Sequence, residues 1–194
     1  SATLPSSFVG DLLSADVGLS DATQGNDAFI VRSVQEVEKE ETPVPDVVEE
    51  AKQAIIYANT VDRAIRYYRS LNRDDKILYH SRFTRPHRSE IEDQILSMLS
   101  EDGAGGVAVM TQVGEMSLNV TCSAMVTDLG PVDRLAQRAG RMRRYSGQDG
   151  ALYVMHPVEY PAPYGKYLQG KREWKASEAL ARSASLIEEG QRLT

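Results

Sequence analysis

A chain of 194 residues with 41% hydrophobic and 26% charged residues suits one soluble core of ordinary size with room for a small appendage. A formal net charge of −6 and a pI near 5.2 exclude coating of nucleic acid by bulk charge, so any phosphate contact must be local. Cys122 is the only cysteine, which excludes a disulfide within the chain, argues against a cysteine-ligated zinc site, and fits a reducing, cytoplasmic setting.

No apolar run approaches the roughly 18 residues that span a bilayer, and no basic-then-apolar leader is legible. Residues 1–25 are rich in Ser, Gly, Asp and Ala and read as a loop plus a short helix around Phe8, Val9, Leu12 and Leu13. Residues 28–31 read as a strand. The acids and prolines of 36–45 read as a solvated linker. Residues 46–53 suit a short helix with Asp46 as its cap, and 54–58 a buried strand. The next helix places Val61, Ala64, Ile65, Tyr68 and Leu71 on one face, with Asp62, Arg63, Arg66 and Arg69 on the other. A strand at 77–79 precedes a helix over 88–99 that buries Ile91, Ile95, Met98 and Leu99. The turn over 102–106 ends that helix, with glycine available for left-handed geometry. Further strands are expected at 107–110, 124–127 and 151–155, and the tail over 173–191 is helical in composition. This alternation predicts an α/β domain with a mainly parallel central sheet flanked by helices. In such sheets ligands are held beyond the carboxyl ends of the strands. Asn59-Thr60, His80-Ser81-Arg82, Thr111-Gln112 and Asp128 fall there.

The segment over 133–144 is dense in arginine. At roughly 100° per residue a helix places Arg134, Gln137, Arg138, Arg141 and Arg144 on one face and Leu135, Ala139 and Met142 opposite. Arginines stacked at helical spacing repel by about 0.2–0.5 kcal/mol per pair, so the face needs an anionic counterpart. Two counterparts are open: an anionic ligand gripped by planar guanidiniums, or some of the chain's own 28 acids. Arg82, Arg85 and Arg88 likewise read as a solvated face or as a contact for DNA. Tyr153, Tyr160, Tyr164 and Tyr167 are expected to pack rather than to stack on bases. His80, His87 and His156 do not have metal-ligand spacing, and no metal site is expected.

Taken in order, Ser1-Ala2-Thr3, Asn59-Thr60, His80-Ser81-Arg82-Phe83, the run from Thr111 to Leu118 and Gln137-Arg138-Ala139-Gly140-Arg141 form a recognisable series. It resembles the second RecA-like half of superfamily 2 helicases, and within them the CRISPR-associated helicase–nuclease of type I systems. The resemblance runs from Ser1 to about Tyr164. It implies a RecA-like domain over 46–158, preceded by an interdomain segment and linker over 1–45 with one strand, and followed by a helical extension over 159–194.

By the same resemblance, Ser1, Ala2 and Thr3 couple ATP hydrolysis to domain movement. Asn59, Thr60, Ser81, Arg82, Thr111 and Gln112 touch single-stranded DNA. Glu115, Asn119 and Arg138 lie near the nucleotide. Gln137, Arg141 and Arg144 reach the γ-phosphate, with the two arginines as fingers. Asn119, Thr121 and Ser123 stand where the family often has aspartates; at Asn119 this removes a charge near the ribose, and the swap is read either as neutral or as the mark of a weakened motor. The chemistry is apt: an arginine finger is worth about 10³–10⁵ in the rate of phosphoryl transfer, and a hydroxyl can hold a backbone phosphate without reading sequence.

ATP hydrolysis also needs a phosphate-cradling loop and an acidic Mg²⁺ ligand. Gly103 to Gly106 lacks the lysine and hydroxyl that such a loop requires. The chain therefore reads as the second half of an ATP- and Mg²⁺-dependent DNA helicase, inactive by itself, whose partners are a first RecA-like domain, single-stranded DNA and a CRISPR effector complex. Another reading is a non-catalytic nucleic-acid-binding or interaction module derived from such a domain. No partner membrane is expected.

Overall fold

Runs of aliphatic and β-branched residues form the central strands, and amphipathic segments cover them. The computed structural model describes residues 29–35, 44–142, 150–156, 164–168, 173–187 and 192–193. Strands β1 (Phe29–Gln35), β2 (Gln53–Tyr57), β3 (Lys76–Tyr79), β4 (Gly106–Met110), β5 (Ala124–Asp128) and β6 (Gly150–His156) all pair in parallel. Strands β7 (Gly165–Leu168) and β8 (Glu173–Ala176) form a separate antiparallel hairpin. The short β9 (Arg192–Leu193) adds antiparallel to β1, giving the sheet order β3-β4-β2-β5-β6-β1-β9.

Helices α1 (Asp46–Glu50) and α2 (Val61–Ser70) cover one face of the sheet, where Val48, Ala64, Tyr67 and Leu71 meet Ala54, Ile56, Val107, Val109 and Val126. Helices α3 (Arg85–Leu99), α5 (Val132–Ala139) and α6 (Glu178–Leu186) cover the other. There Ile95, Leu99, Leu135, Ala136 and Leu180 meet Ile55, Tyr57, Ala108, Met110 and Met125. The alternation along β2, with Ile55 to one side and Ile56 to the other, follows from the two-residue period of a strand. The short α4 (Gly114–Ser117) sits just beyond β4. The connection leaving β2 crosses to β3 and that leaving β5 crosses to β6, in opposite directions along the sheet. The carboxyl ends of β2 and β5 thus flank the switch point at which such sheets bind ligands.

Local chemistry sets several boundaries. The Thr60 hydroxyl accepts the Arg63 N–H at 3.3 Å and caps α2. Pro86 lies in the first turn of α3, where its missing N–H does no harm. Gly105 and Gly106 have φ of 96° and 136°, and the Gly106 N–H donates to the Lys52 carbonyl at 2.7 Å as the chain turns into β4. Glycine meets both demands because it lacks a Cβ.

The α/β class and the parallel sheet match the sequence reading, and several details differ. Helix α1 is shorter than 46–53, and Pro45 rather than Asp46 occupies its cap. The buried side of α2 is centred on Arg63, Ala64 and Tyr67, so Arg63 lies inside rather than on the polar face. The reason is an acid waiting at the end of β5. The expected helix over 173–191 is instead β8, then α6, with β9 following. Strand β1 from before residue 46, and α6 and β9 from after 158, belong to the same sheet and core. The proposed loop and helix over 1–25 and the linker acids of 36–41 lie outside the described residues.

Candidate functional site

The parallel strands bring Asn59-Thr60, His80-Ser81-Arg82, Thr111-Gln112 and Asp128 to one edge of the sheet. Ser81 is exposed there. Arg82 is also exposed, its side chain at 62%, and it pairs with Asp62 at 3.0 Å. His80 is buried, stacks on Phe83 with ring centres 4.4 Å apart, and accepts the Arg82 N–H at Nδ1. Burial holds its imidazole below the usual range, with the Arg82 charge acting in the same direction. Thr111 is buried, and its N–H donates to the Tyr79 carbonyl at 3.1 Å. The Gln112 side chain donates to the Tyr164 hydroxyl at 3.1 Å, and Tyr164 packs against the core as expected.

Asn59 is held from three directions. Its N–H donates to Asp128 Oδ2 at 2.8 Å and its side-chain amide donates to the Leu129 carbonyl at 2.8 Å. Its Oδ1 accepts from Arg138 at 3.3 Å. Asp128 is fully buried. Its two oxygens take the guanidinium fork of Arg63, with Nε at 2.8 Å and Nη2 at 2.7 Å, and Oδ1 also accepts the Tyr67 hydroxyl at 3.0 Å. A carboxylate offers about four acceptor positions, and these contacts use them.

On the other face Arg138 is fully buried over the Tyr57 ring, 5.3 Å from its centroid. It pairs with Glu115 at 2.7 Å and donates to Thr127 Oγ1 at 2.7 Å and to the Asp128 carbonyl at 3.1 Å. Glu115 is buried too, and its second oxygen accepts from Arg134 at 2.9 Å. This hydrogen bond raises the Arg134 pKa. Burial, opposed by the nearby arginines, raises the Tyr57 hydroxyl pKa.

The arginine segment therefore differs from the expected ridge. Helix α5 stops at Ala139, and Arg141 lies in the turn that follows. The reason is local: the Gly140 and Arg141 N–H groups close the helix on Ala136 and Arg138, after which Met142 pairs with Cys122 beside β5. Glu115 neutralises Arg134 and Arg138, one of the chain's own acids acting as their counterpart. In this arrangement Glu115 and Arg138 are paired with each other. Gln137 is exposed. Arg141 is 7% exposed, and its guanidinium donates to the main-chain carbonyl of Glu115. Asn119 is exposed. Ser1, Ala2, Thr3 and Arg144 lie outside the described residues.

Sequence reasoning missed Arg63, Tyr67 and Thr127 as members of this cluster. The available signal was Asp128, an acid closing the apolar run of β5, together with an arginine and a tyrosine one turn apart on the neighbouring helix. Among the described residues no group of three His, Cys, Asp or Glu could hold a metal ion. No described helix is long and apolar enough to cross a membrane.

Residues 50–147 match the family model described as CRISPR-associated nuclease/helicase Cas3, C-terminal. The chain belongs to this family. Among relatives, a CRISPR-associated helicase Cas3 of Thermoproteus tenax is 32% identical over 142 residues, 71% of this chain and 24% of that protein. A CRISPR-associated endonuclease/helicase Cas3 of Escherichia coli K12 is 36% identical over 101 residues, 48% of this chain and 11% of that one. The chain spans a quarter or less of the length of the curated relatives it matches. Among solved structures, T. fusca Cas3-AMPPNP aligns with a TM-score of 0.57 at 29% identity, covering 75% of this chain and 20% of that one. A chain of a CRISPR RNA-guided surveillance complex, pre-nicking, aligns with a TM-score of 0.60 at 26% identity, covering 91% of this chain and 25% of that one. The fold is that of a helicase RecA-like domain, as the sequence implies.

Proposed function

We propose that this chain is the second motor domain of an ATP-dependent superfamily 2 DNA translocase acting in type I CRISPR interference. The observation that carries the reading is the alignment of Asn59-Thr60, Ser81-Arg82 and Thr111-Gln112 along one strand edge in a chain of the Cas3 C-terminal family. A row of hydroxyls, amides and one exposed guanidinium suits a sugar–phosphate backbone, because such groups bind phosphate oxygens without reading bases. The exposed Ser81 and Arg82, with the Thr60 hydroxyl, lead that contact. Thr111 and Gln112 sit deeper and shape the edge.

ATP and Mg²⁺ would be held by a first RecA-like domain, and hydrolysis would supply the free energy of movement. The residues present fit the role of a facing wall unequally. Gln137 and Asn119 offer exposed amides, Asn119 toward a ribose hydroxyl. Arg141 offers a guanidinium with five N–H donors, steadied by the Glu115 carbonyl. Steadying matters because preorganised charge stabilises a phosphoryl transition state without reorganisation. Arg144 completes the pair of fingers. Glu115 and Arg138 take a positioning role, since both are buried against each other.

The test is ATP hydrolysis by the full-length protein with and without single-stranded DNA, alongside strand displacement from a partial duplex. DNA-dependent turnover and displacement are expected. A protein that binds DNA with no DNA-dependent turnover would instead be a non-catalytic module.

A further inference from the structure

The cluster at the switch point forms an unbroken chain of hydrogen bonds: Arg63 to Asp128, Asp128 to Asn59, Asn59 to Arg138, Arg138 to Glu115, and the Glu115 main chain to Arg141. It begins on α2 at one face of the sheet and ends beside α5 at the other. Its first member is fixed twice. Arg63 grips Asp128 with its side chain, while its N–H is capped by Thr60. The position of Asn59-Thr60 is thereby tied to Asp128, and through Arg138 to Glu115, whose carbonyl holds Arg141.

We infer that Arg63 and Asp128, with Tyr67 in support, are positioning residues that transmit occupancy of the DNA-contacting edge to Arg141. This rests on the motor reading above. The physical ground is that the charged links are buried, with Arg63 4%, Asp128 0% and Arg138 0% exposed, and that the half-buried Asn59 joins them. Low-dielectric burial makes displacement of one member expensive for the next. A fork between guanidinium and carboxylate also fixes direction as well as distance. A strand pressing on Thr60 shifts the first turn of α2, and the Arg63 fork carries that shift to Asp128 and onward. None of Arg63, Asp128 or Tyr67 touches DNA or nucleotide in this scheme.

The test uses the full-length protein and reads the ratio of DNA-stimulated to basal ATP hydrolysis. The main variant is the double substitution Arg63→Met with Asp128→Asn, which removes both charges, leaves neither stranded and keeps a side-chain oxygen to accept the Asn59 N–H; neutral replacement of a buried ion pair is often close to neutral in stability. The stimulation ratio is expected to fall by about tenfold, within the range of inter-site couplings. The basal rate should stay within about twofold and the thermal midpoint near that of wild type. Half-saturating DNA should rise less than the stimulated kcat falls. Tyr67→Phe keeps the fold, removes one hydrogen bond to Asp128 and should lower the ratio by about two- to fivefold.

A double variant with wild-type stability and an unchanged ratio overturns the inference. So do basal and stimulated rates that fall in equal proportion, because that is what a merely structural pair would give. If the double variant does not fold, an unchanged ratio in Tyr67→Phe overturns it. A wild-type protein without DNA stimulation brings down the motor reading itself. A stimulated wild type with insensitive variants brings down only this inference.

Discussion

Replacing Glu115 with alanine leaves the fully buried guanidinium of Arg138 without its carboxylate. Breaking a buried pair in this way destabilises a domain by about 3–5 kcal/mol, because an uncompensated charge remains in low dielectric. The contact with Arg134, whose side chain is 35% exposed, adds little, since exposed pairs contribute at most about 1 kcal/mol. With a urea slope of about 2 kcal/mol per M, the unfolding midpoint should fall by roughly 1.5–2.5 M with the slope unchanged. Two controls sharpen the test. Arg134→Ala should move the midpoint by no more than roughly 0.5 M. The double variant Glu115→Leu with Arg138→Met should recover most of the loss, since a well-packed apolar pair can replace a buried ionic one. A midpoint shift below roughly 0.5 M in Glu115→Ala would show that water reaches Arg138 and that the buried network is not a unit.

Acidification should weaken the fold through His80 and His156, both held below the usual imidazole range by burial. Because the folded values are depressed, the unfolded chain takes up protons first. Their contribution is complete above about pH 6.5 and is lost progressively as pH falls from there through the folded values. Urea midpoints measured from about pH 7.5 down to about pH 5.5 should decline, and replacing both histidines with glutamine should flatten the decline; a flat wild-type profile would contradict the burial argument. Gly105→Ala should lower stability by about 1–3 kcal/mol. Its φ is 96° and an added Cβ would lie 2.5 Å from the Lys52 carbonyl oxygen. Unchanged thermal unfolding in that variant would mean that the turn into β4 adopts another geometry.

The sheet was legible because each strand is short, apolar and bounded by a change of period, as at 54–58 and 107–110. The strand-end residues were legible because parallel topology dictates which ends face one edge. The cluster itself was not. Periodicity placed Arg63 on the solvent side of α2, since a charged residue is ordinarily exposed. Its burial depends on Asp128, a residue 65 positions away, and nothing local in the sequence announces that pairing. The arginine segment failed in the same way. Helical spacing grouped Arg134, Arg138 and Arg141 as one face, but Glu115 from another element draws the first two inward, and α5 ends before the third. The tail misled because alanine- and glutamate-rich composition favours helix, whereas pairing with β7 holds residues 173–176 extended.

The proposed contact of Arg141 with a phosphoryl group held by a neighbouring domain is tested most directly by Arg141→Ala in the full-length protein. ATP turnover in the presence of single-stranded DNA should fall by about 10³-fold or more. The substitution also removes a buried side chain that donates to the Glu115 carbonyl, so urea unfolding should fall by about 1–3 kcal/mol, and turnover is compared where the variant remains folded. Turnover within about tenfold of wild type, in a variant that folds normally, would contradict the account.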